Sequence, residues 1–218
     1  MKAKNLTKIY GEKQTAFKAL DNVDLEIKKG EMVGIMGRSG SGKSTLLYQL
    51  SLLDKPSSGQ IFIDELDMTG QGVKTCTQFR LANLGYVFQD YALLPDLNAR
   101  ENVALPMLML GFSLKDAHKR AEKSLKSLGL GDKFRNMPNQ LSGGEQQRVS
   151  IARATAHGAR IIFADEPTAS LDTDTADQVM DIFRELKNDQ RTVVMVTHEP
   201  EYKSYFDRVI TLEDGRIK

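Results

Sequence analysis

The 218 residues include one cysteine and three histidines, and no stretch approaches the roughly 18 uninterrupted apolar residues that a membrane span requires. A single cysteine, Cys76, rules out an internal disulfide. Its polar setting, GVKTCTQF, reads as an incidental surface or half-buried thiol in a reducing compartment. His118 and His157 fall in helical patterns without cysteine or acidic neighbours at ligand spacing, so neither is assigned a metal. The most apolar window, Val103 to Phe112, is too short to cross a bilayer and carries Pro106 and Gly111. The first residues, MKAKNLTKIYGEKQ, contain no apolar targeting core. Charge of neither sign is in excess: 30 basic against 29 acidic residues leave a formal +1, so nucleic acid is not expected as the main partner. Tandem repeats, low-complexity tracts and long linkers are missing as well. These absences predict a soluble cytosolic chain, one that works at a membrane only through another chain.

What is present alternates. Apolar runs bounded by turn residues predict strands at Met32 to Met36, Leu84 to Phe88, Ile161 to Asp165 and Val193 to Thr197, with helical patterns between them. Short buried strands separated by helices imply a mainly parallel α/β sheet. LDNVDLEIKKG alternates apolar and polar residues, and IFID follows a Ser-Ser-Gly turn, which predicts a small antiparallel sheet near the N-terminus. Asp214-Gly215 between two short runs is a hairpin signal near the last residue, and no appended C-terminal regulatory domain is expected. From Tyr91 to Arg160 no strand-like run occurs. There Ser113 can cap a helix carrying Leu114, Ala117, Ala121, Leu125 and Leu128 at helical spacing, which Gly129 stops.

Three stretches carry chemistry. Gly37-Arg38-Ser39-Gly40-Ser41-Gly42-Lys43-Ser44 fits G-x-x-x-x-G-K-[ST] and joins a strand to the helical run TLLYQLSLL. Its glycines let N–H groups turn toward phosphate oxygens, Lys43 reaches the β- and γ-phosphates, and the Ser44 hydroxyl can ligate magnesium. The run Ile161 to Glu166 is an apolar strand ending in two carboxylates: Asp165 is suited to a Mg²⁺ shell and Glu166 to accepting a proton from an attacking water. The third, LSGGEQQR, opens with a capping box, Ser142 to Glu145, ahead of a helix predicted from Gln146 to about His157 and stopped by Gly158. The cap does not account for Gly143 and Gly144, each of which costs roughly 1 kcal/mol against alanine in a helix. Bare N–H groups at a helix start suit an approaching anion.

LSGGE between a Walker A loop and a strand ending in Asp-Glu resembles the signature loop of ABC ATPases, and the resemblance extends over essentially the whole chain. It implies a P-loop NTPase fold with an N-terminal antiparallel β subdomain and an inserted helical subdomain: one domain, 1–218, in which about 1–90 and 158–218 form the catalytic core and about 91–157 the helical part. It implies ATP and Mg²⁺ as cofactors, with Arg38, Ser39, Gly40, Ser41 and Thr45 completing the phosphate loop. Tyr10 resembles the aromatic that stacks on adenine, Gln89 the glutamine that touches magnesium and senses the transporter, and His198 the switch histidine on the γ-phosphate. Ser170-Leu171-Asp172 resembles the D-loop, although Ala169-Ser170 departs from the more usual Gly-Asn or Ser-Ala pair.

In that family two cassettes dimerise head to tail, so Ser142, Gly143 and Gly144 are expected to cap the ATP held by a second copy. The segments GYVFQDYALLPDLNARENVALPM and MPNQLSGGEQQRVSIARA resemble most the subgroup serving lipoprotein release, macrolide or antimicrobial-peptide export, and a cell-division complex. In Tyr91 to Phe112, where Asn98 and Asn102 could open helices, most of the apolar residues read as core packing. The resemblance implies that this segment, with Leu94 and Leu97, also meets an integral membrane permease subunit at the cytoplasmic face, with export or force transmission as the expected work. A solute importer's ATPase is the alternative. A soluble ABC ATPase acting on DNA or ribosomes fits less well, since there is no long heptad insertion and no basic bias.

Overall fold

The computed structural model describes residues 1–188 and 191–218. In chain order the elements are β1 (Lys2–Tyr10), β2 (Phe17–Glu26), β3 (Met32–Met36), α1 (Lys43–Leu50), β4 (Ser58–Ile63), β5 (Leu66–Asp67), α2 (Val73–Asn83), β6 (Leu84–Val87), α3 (Ala99–Met109), α4 (Leu114–Ser127), α5 (Gly143–Thr155), β7 (Ile161–Asp165), α6 (Thr173–Asn188), β8 (Thr192–Val196), β9 (Arg208–Glu213) and β10 (Arg216–Ile217). They form two sheets. One is antiparallel, in the order β2-β1-β4-β5; the other runs β10-β9-β3-β8-β7-β6. In the second, every pair from β9 to β6 is parallel and only β10 returns antiparallel, through the Asp214-Gly215 hairpin.

The sequence pattern explains the layering. β3 and β8 are buried at all five positions, as strands covered on both faces must be. β2 alternates instead, burying Leu20, Val23 and Leu25 over a face shared with α1. Gly85 in β6 lets α5 settle on the sheet edge: a Cβ there would strike the Ala154 carbonyl and come within 2.9 Å of Ile162 Cδ1. The helices α3, α4 and α5 enclose an apolar cluster of their own, including Val103, Met107, Ala121, Leu125 and Val149, each fully buried.

Local chemistry sets the helix ends. Ser113 accepts from the Asp116 N–H at 3.1 Å to start α4, and Gly129 follows its end with φ 75°. Asn98 and Glu101 form a second capping box at the start of α3. Asn102 does not open a helix: it is fully buried inside α3, where its amide donates to the carbonyls of Leu94, Leu97 and Asn98 and its oxygen accepts from the Leu94 N–H.

Several expectations shift. β6 ends at Val87 rather than Phe88, and β8 runs Thr192–Val196, one residue earlier than expected. α5 begins at Gly143, because the capping box at Ser142 starts the helix immediately, and it ends at Thr155, leaving His157 in the following turn. Leu114, at the first position of α4, is 59 % exposed, since the buried stripe starts one turn later at Ala117. Cys76 is buried against the β4–α2 region, its thiol 3.4 Å from the Met68 carbonyl; the polar residues of GVKTCTQF face out from α2 and the cysteine faces in. Among the described residues no helix is long and apolar enough to cross a membrane.

Candidate active site

The central strand β3 delivers the chain to the carboxyl edge of the sheet, where open α/β sheets bind ligands. From there it turns through Gly37 to Gly42 into α1, with Gly42 at φ 98° as N-cap. The turn has no room for side chains at its ends: a Cβ on Gly37 would lie 2.7 Å from Ser41 Oγ, and one on Gly42 would strike the Ala19 carbonyl. The first-turn N–H groups of α1 lack intrahelical acceptors and belong to residues lining a cleft of about 1140 Å³. Lys43, 8 % exposed, donates to the carbonyls of Gly37 and Arg38 at 3.0 Å each, so neutral acceptors hold its charge across the loop. A glycine cradle, free N–H groups and a fixed ammonium together fit a polyphosphate.

The Ser44 hydroxyl donates to Asp165 Oδ1 at 3.2 Å and so joins α1 to the end of β7. Burial pushes the Asp165 carboxyl above its ordinary range; the Ser44 bond opposes the rise and neighbouring Glu166 adds to it. A desolvated carboxylate beside a hydroxyl is a hard-oxygen donor set, which fits Mg²⁺. Glu166 follows in a left-handed conformation, φ 44°, uncommon for a residue with a side chain. Its N–H donates to the Val196 carbonyl at 2.9 Å, and its carboxylate stands 3.3 Å from His198 Nδ1, beyond the end of β8. Two adjacent parallel strands thus bring a carboxylate and an imidazole together over the phosphate loop.

The other wall of the cleft comes from the antiparallel sheet. Tyr10 ends β1 and Phe17 begins β2 directly opposite it, the two residues 42 % and 59 % exposed. Arg38, Ser39, Gly40 and Thr45 line the cleft as well, as do Pro200 and Lys203 from the turn beyond His198. Ser41 lies beneath the loop, buried, its hydroxyl without a partner among the described residues. Phe17 and Lys203 carry no motif; only the β1–β2 register and the fold of the 200–205 turn reveal them.

Seven expected site residues are absent from the lining of this cleft: Ser41 and Asp165 are buried behind it, and Gln89, Ser142, Gly143, Gly144 and Asp172 lie elsewhere. Gln89 is exposed just beyond β6. Ser142, Gly143, Gly144 and Asp172 gather at the adjoining starts of α5 and α6. The box at Ser142 takes up the Glu145 N–H at 3.3 Å and leaves those of Gly143 and Gly144. Asp172 caps α6, accepting from Thr175 N–H at 3.0 Å and from the Thr175 hydroxyl at 2.8 Å. The glycines also have a reason inside the chain: a Cβ on Gly144 would collide with Thr175 Cγ2, and one on Gly143 would sit 3.0 Å from the Tyr91 hydroxyl. This second group is tied to the first. The buried Gln147 amide donates to the Pro167 carbonyl at 2.7 Å, just after Glu166, and Arg153 donates to the Tyr91 carbonyl at 2.8 Å, just after Gln89.

Residues 20–169, which include both the phosphate loop and the Asp-Glu pair, match the ABC transporter family. The chain belongs to that family. As an ABC cassette it binds and hydrolyses ATP. It is 45 % identical over 219 residues to the lipoprotein-releasing system ATP-binding protein LolD of Aquifex aeolicus, covering all of this chain and 95 % of that one. It is 44 % identical to the macrolide export ATP-binding/permease protein MacB of Neisseria meningitidis serogroup B, of which this cassette covers 34 %. Among solved structures, the ATP-binding cassette MJ0796, a dimer in a post-hydrolysis state bound to ADP and Pi, superposes with a TM-score of 0.92 at 44 % identity, covering all of this chain and 96 % of that one.

Proposed function

We propose that this cassette powers a separate membrane permease by ATP-dependent pairing with a second copy of itself, at the cytoplasmic face of the membrane, in the service of export or force transmission. Lys43 and the loop N–H groups bind the β- and γ-phosphates. Ser44 and Asp165 would hold Mg²⁺, with Gln89 joining them when its loop closes; when bound, the ion offsets the phosphate charge that develops on transfer. Glu166 takes the proton from the attacking water, His198 orients the γ-phosphate and the Glu166 carboxylate, and Tyr10 carries the adenine ring.

What carries the pairing part of the reading is the separation of two chemistries within one chain. Ser142 and the unused N–H groups of Gly143 and Gly144 are built to receive an anion, yet they stand outside the cleft that holds Lys43. A second copy turned head to tail brings each start of α5 to the other's nucleotide, with Asp172 beside it. The dimeric state of the MJ0796 structure supports this reading. The membrane partner and export direction draw support from the LolD and MacB relatives and from Leu94, 44 % exposed on a loop that Asn102 braces.

Sedimentation of a Glu166→Gln variant tests the core of it: turnover should be abolished while ATP, and not ADP, converts monomer to dimer. A monomer at saturating ATP, or near-normal turnover, would contradict it. Affinity capture of the same variant from detergent-solubilised membranes with ATP present then identifies the partner. A membrane protein with few spans and a large extracytoplasmic domain supports export or force transmission, and a many-span permease supports import.

A further inference from the structure

Tyr10 ends a strand and is 42 % exposed, so packing covers little more than half of it. Its hydroxyl donates to Asp54 Oδ2 at 3.1 Å and also meets the Thr45 side chain in the first turn of α1. Asp54 lies beyond the C-terminal end of α1 and is crowded with donors. Its Oδ2 also accepts from the Gln49 amide at 3.0 Å, and its Oδ1 accepts from Lys8 Nζ at 2.9 Å and from the Lys55 N–H at 2.7 Å. Gln49 is fully buried within α1, the helix that begins at the phosphate loop. Lys8 and Tyr10 share one face of β1, two residues apart, and the Lys8 ammonium stands 4.9 Å from the centre of the Tyr10 ring. Burial alone would raise the Asp54 carboxyl; its bonds to Lys8 and Tyr10 outweigh that and hold it below the usual carboxylate range, ionised as a firm acceptor.

We propose that Asp54 is a positioning residue for the nucleobase: by clamping the Tyr10 hydroxyl to the end of the phosphate-loop helix, it sets the ring at the angle and distance from which it stacks on adenine. This rests on the reading of Tyr10 as the adenine platform. One carboxylate then fixes the spacing between the base site and the phosphate site, because it is bonded both to Tyr10 and, through Gln49, to α1. Loss of the clamp costs the base contact and spares the phosphate contacts. An unclamped tyrosine must be ordered again each time a base arrives.

The test is calorimetric binding of ATP and of inorganic tripolyphosphate to the full chain and to four variants: Tyr10→Ala, Tyr10→Phe, Asp54→Ala and Tyr10→Phe combined with Asp54→Ala. Tyr10→Phe keeps the ring and removes only the clamped hydroxyl, so it stands as a test even where Asp54→Ala fails to fold. Tyr10→Phe and Asp54→Ala should each weaken ATP about three- to tenfold, with tripolyphosphate changed by less than about twofold. The combined variant should bind ATP as the weaker single variant does, because both changes break the same Tyr10–Asp54 bond, the one by which Asp54 reaches the ring. The proposal is overturned if Tyr10→Phe binds ATP normally while Tyr10→Ala does not, or if Asp54→Ala weakens tripolyphosphate as much as ATP. Normal ATP binding by Tyr10→Ala would instead remove the platform reading itself, and the proposal with it.

Discussion

Replacing Gly144 by alanine separates two reasons for a glycine at the start of α5. The added methyl would sit against Thr175 Cγ2, well inside the ~3.5–4.0 Å of ordinary carbon contact, and 3.8 Å from Arg148 Nη1. Thr175 has little freedom to withdraw, since its hydroxyl and N–H are both bonded to Asp172. Overpacking of this kind costs about 1–3 kcal/mol. Alanine's better helix propensity returns less than about 1 kcal/mol, so a net loss of about 1–2 kcal/mol is expected. In a chain of this size each kcal/mol lowers the melting temperature by about 2–4 °C. Thr175→Ser keeps the hydroxyl that bonds Asp172 and removes only the colliding methyl group. Denaturant titration of the two single variants and the double variant should therefore show Thr175→Ser rescuing most of the Gly144→Ala loss. Full stability of Gly144→Ala, or failure of Thr175→Ser to rescue it, would refute the steric account. A rescued double variant that still fails to dimerise with ATP would show that an approach to the N–H groups unobstructed by a methyl matters in addition to the fit.

Ser44→Ala removes the hydroxyl bonded to Asp165 at 3.2 Å, and the Mg²⁺ concentration for half-maximal ATPase should rise about tenfold or more, measured by Mg²⁺ titration at saturating ATP; an unchanged midpoint would exclude Ser44 from the metal shell. Asp207 accepts from the Met32 N–H at 2.9 Å and from Lys187, and the first of these bonds chiefly holds its carboxyl below the ordinary range. A lowered carboxylate contributes stability above the unfolded-state pKa of about 4 and loses it as pH falls through the folded value. Asp207→Asn should thus cost about 1 kcal/mol at neutral pH, an allowance that includes its partial exposure, and much less in acid; a loss independent of pH in urea titrations would contradict this. Leu94→Asp, at an exposed apolar position, should lower partner-stimulated ATPase about tenfold in reconstituted membranes, and undiminished stimulation would remove Leu94 from the docking surface.

The sequence by itself determined what depends on short-range chemistry. The phosphate loop is legible because glycine spacing, a lysine and a serine act within a few residues of one another, between an apolar strand and a helix. The Asp165-Glu166 pair is legible because an apolar run that ends in acids has one place to end, at the sheet's carboxyl edge. The box at Ser142 is legible because a cap and its partner lie three residues apart. Tertiary structure decided the rest, because register and packing join residues whose separation in the chain says nothing of their distance in space. Phe17 meets Tyr10 only through the β1–β2 register, and Asp54 reaches Tyr10 across 44 positions. Leu114 is exposed and Cys76 buried because a helix's neighbours, and not its own pattern, choose which stripe is covered. The glycine at 144, in a loop read as open to an anion, is also fixed by a methyl group of the next helix. No local rule carries that contact, since α6 begins 29 residues further along the chain than Gly144.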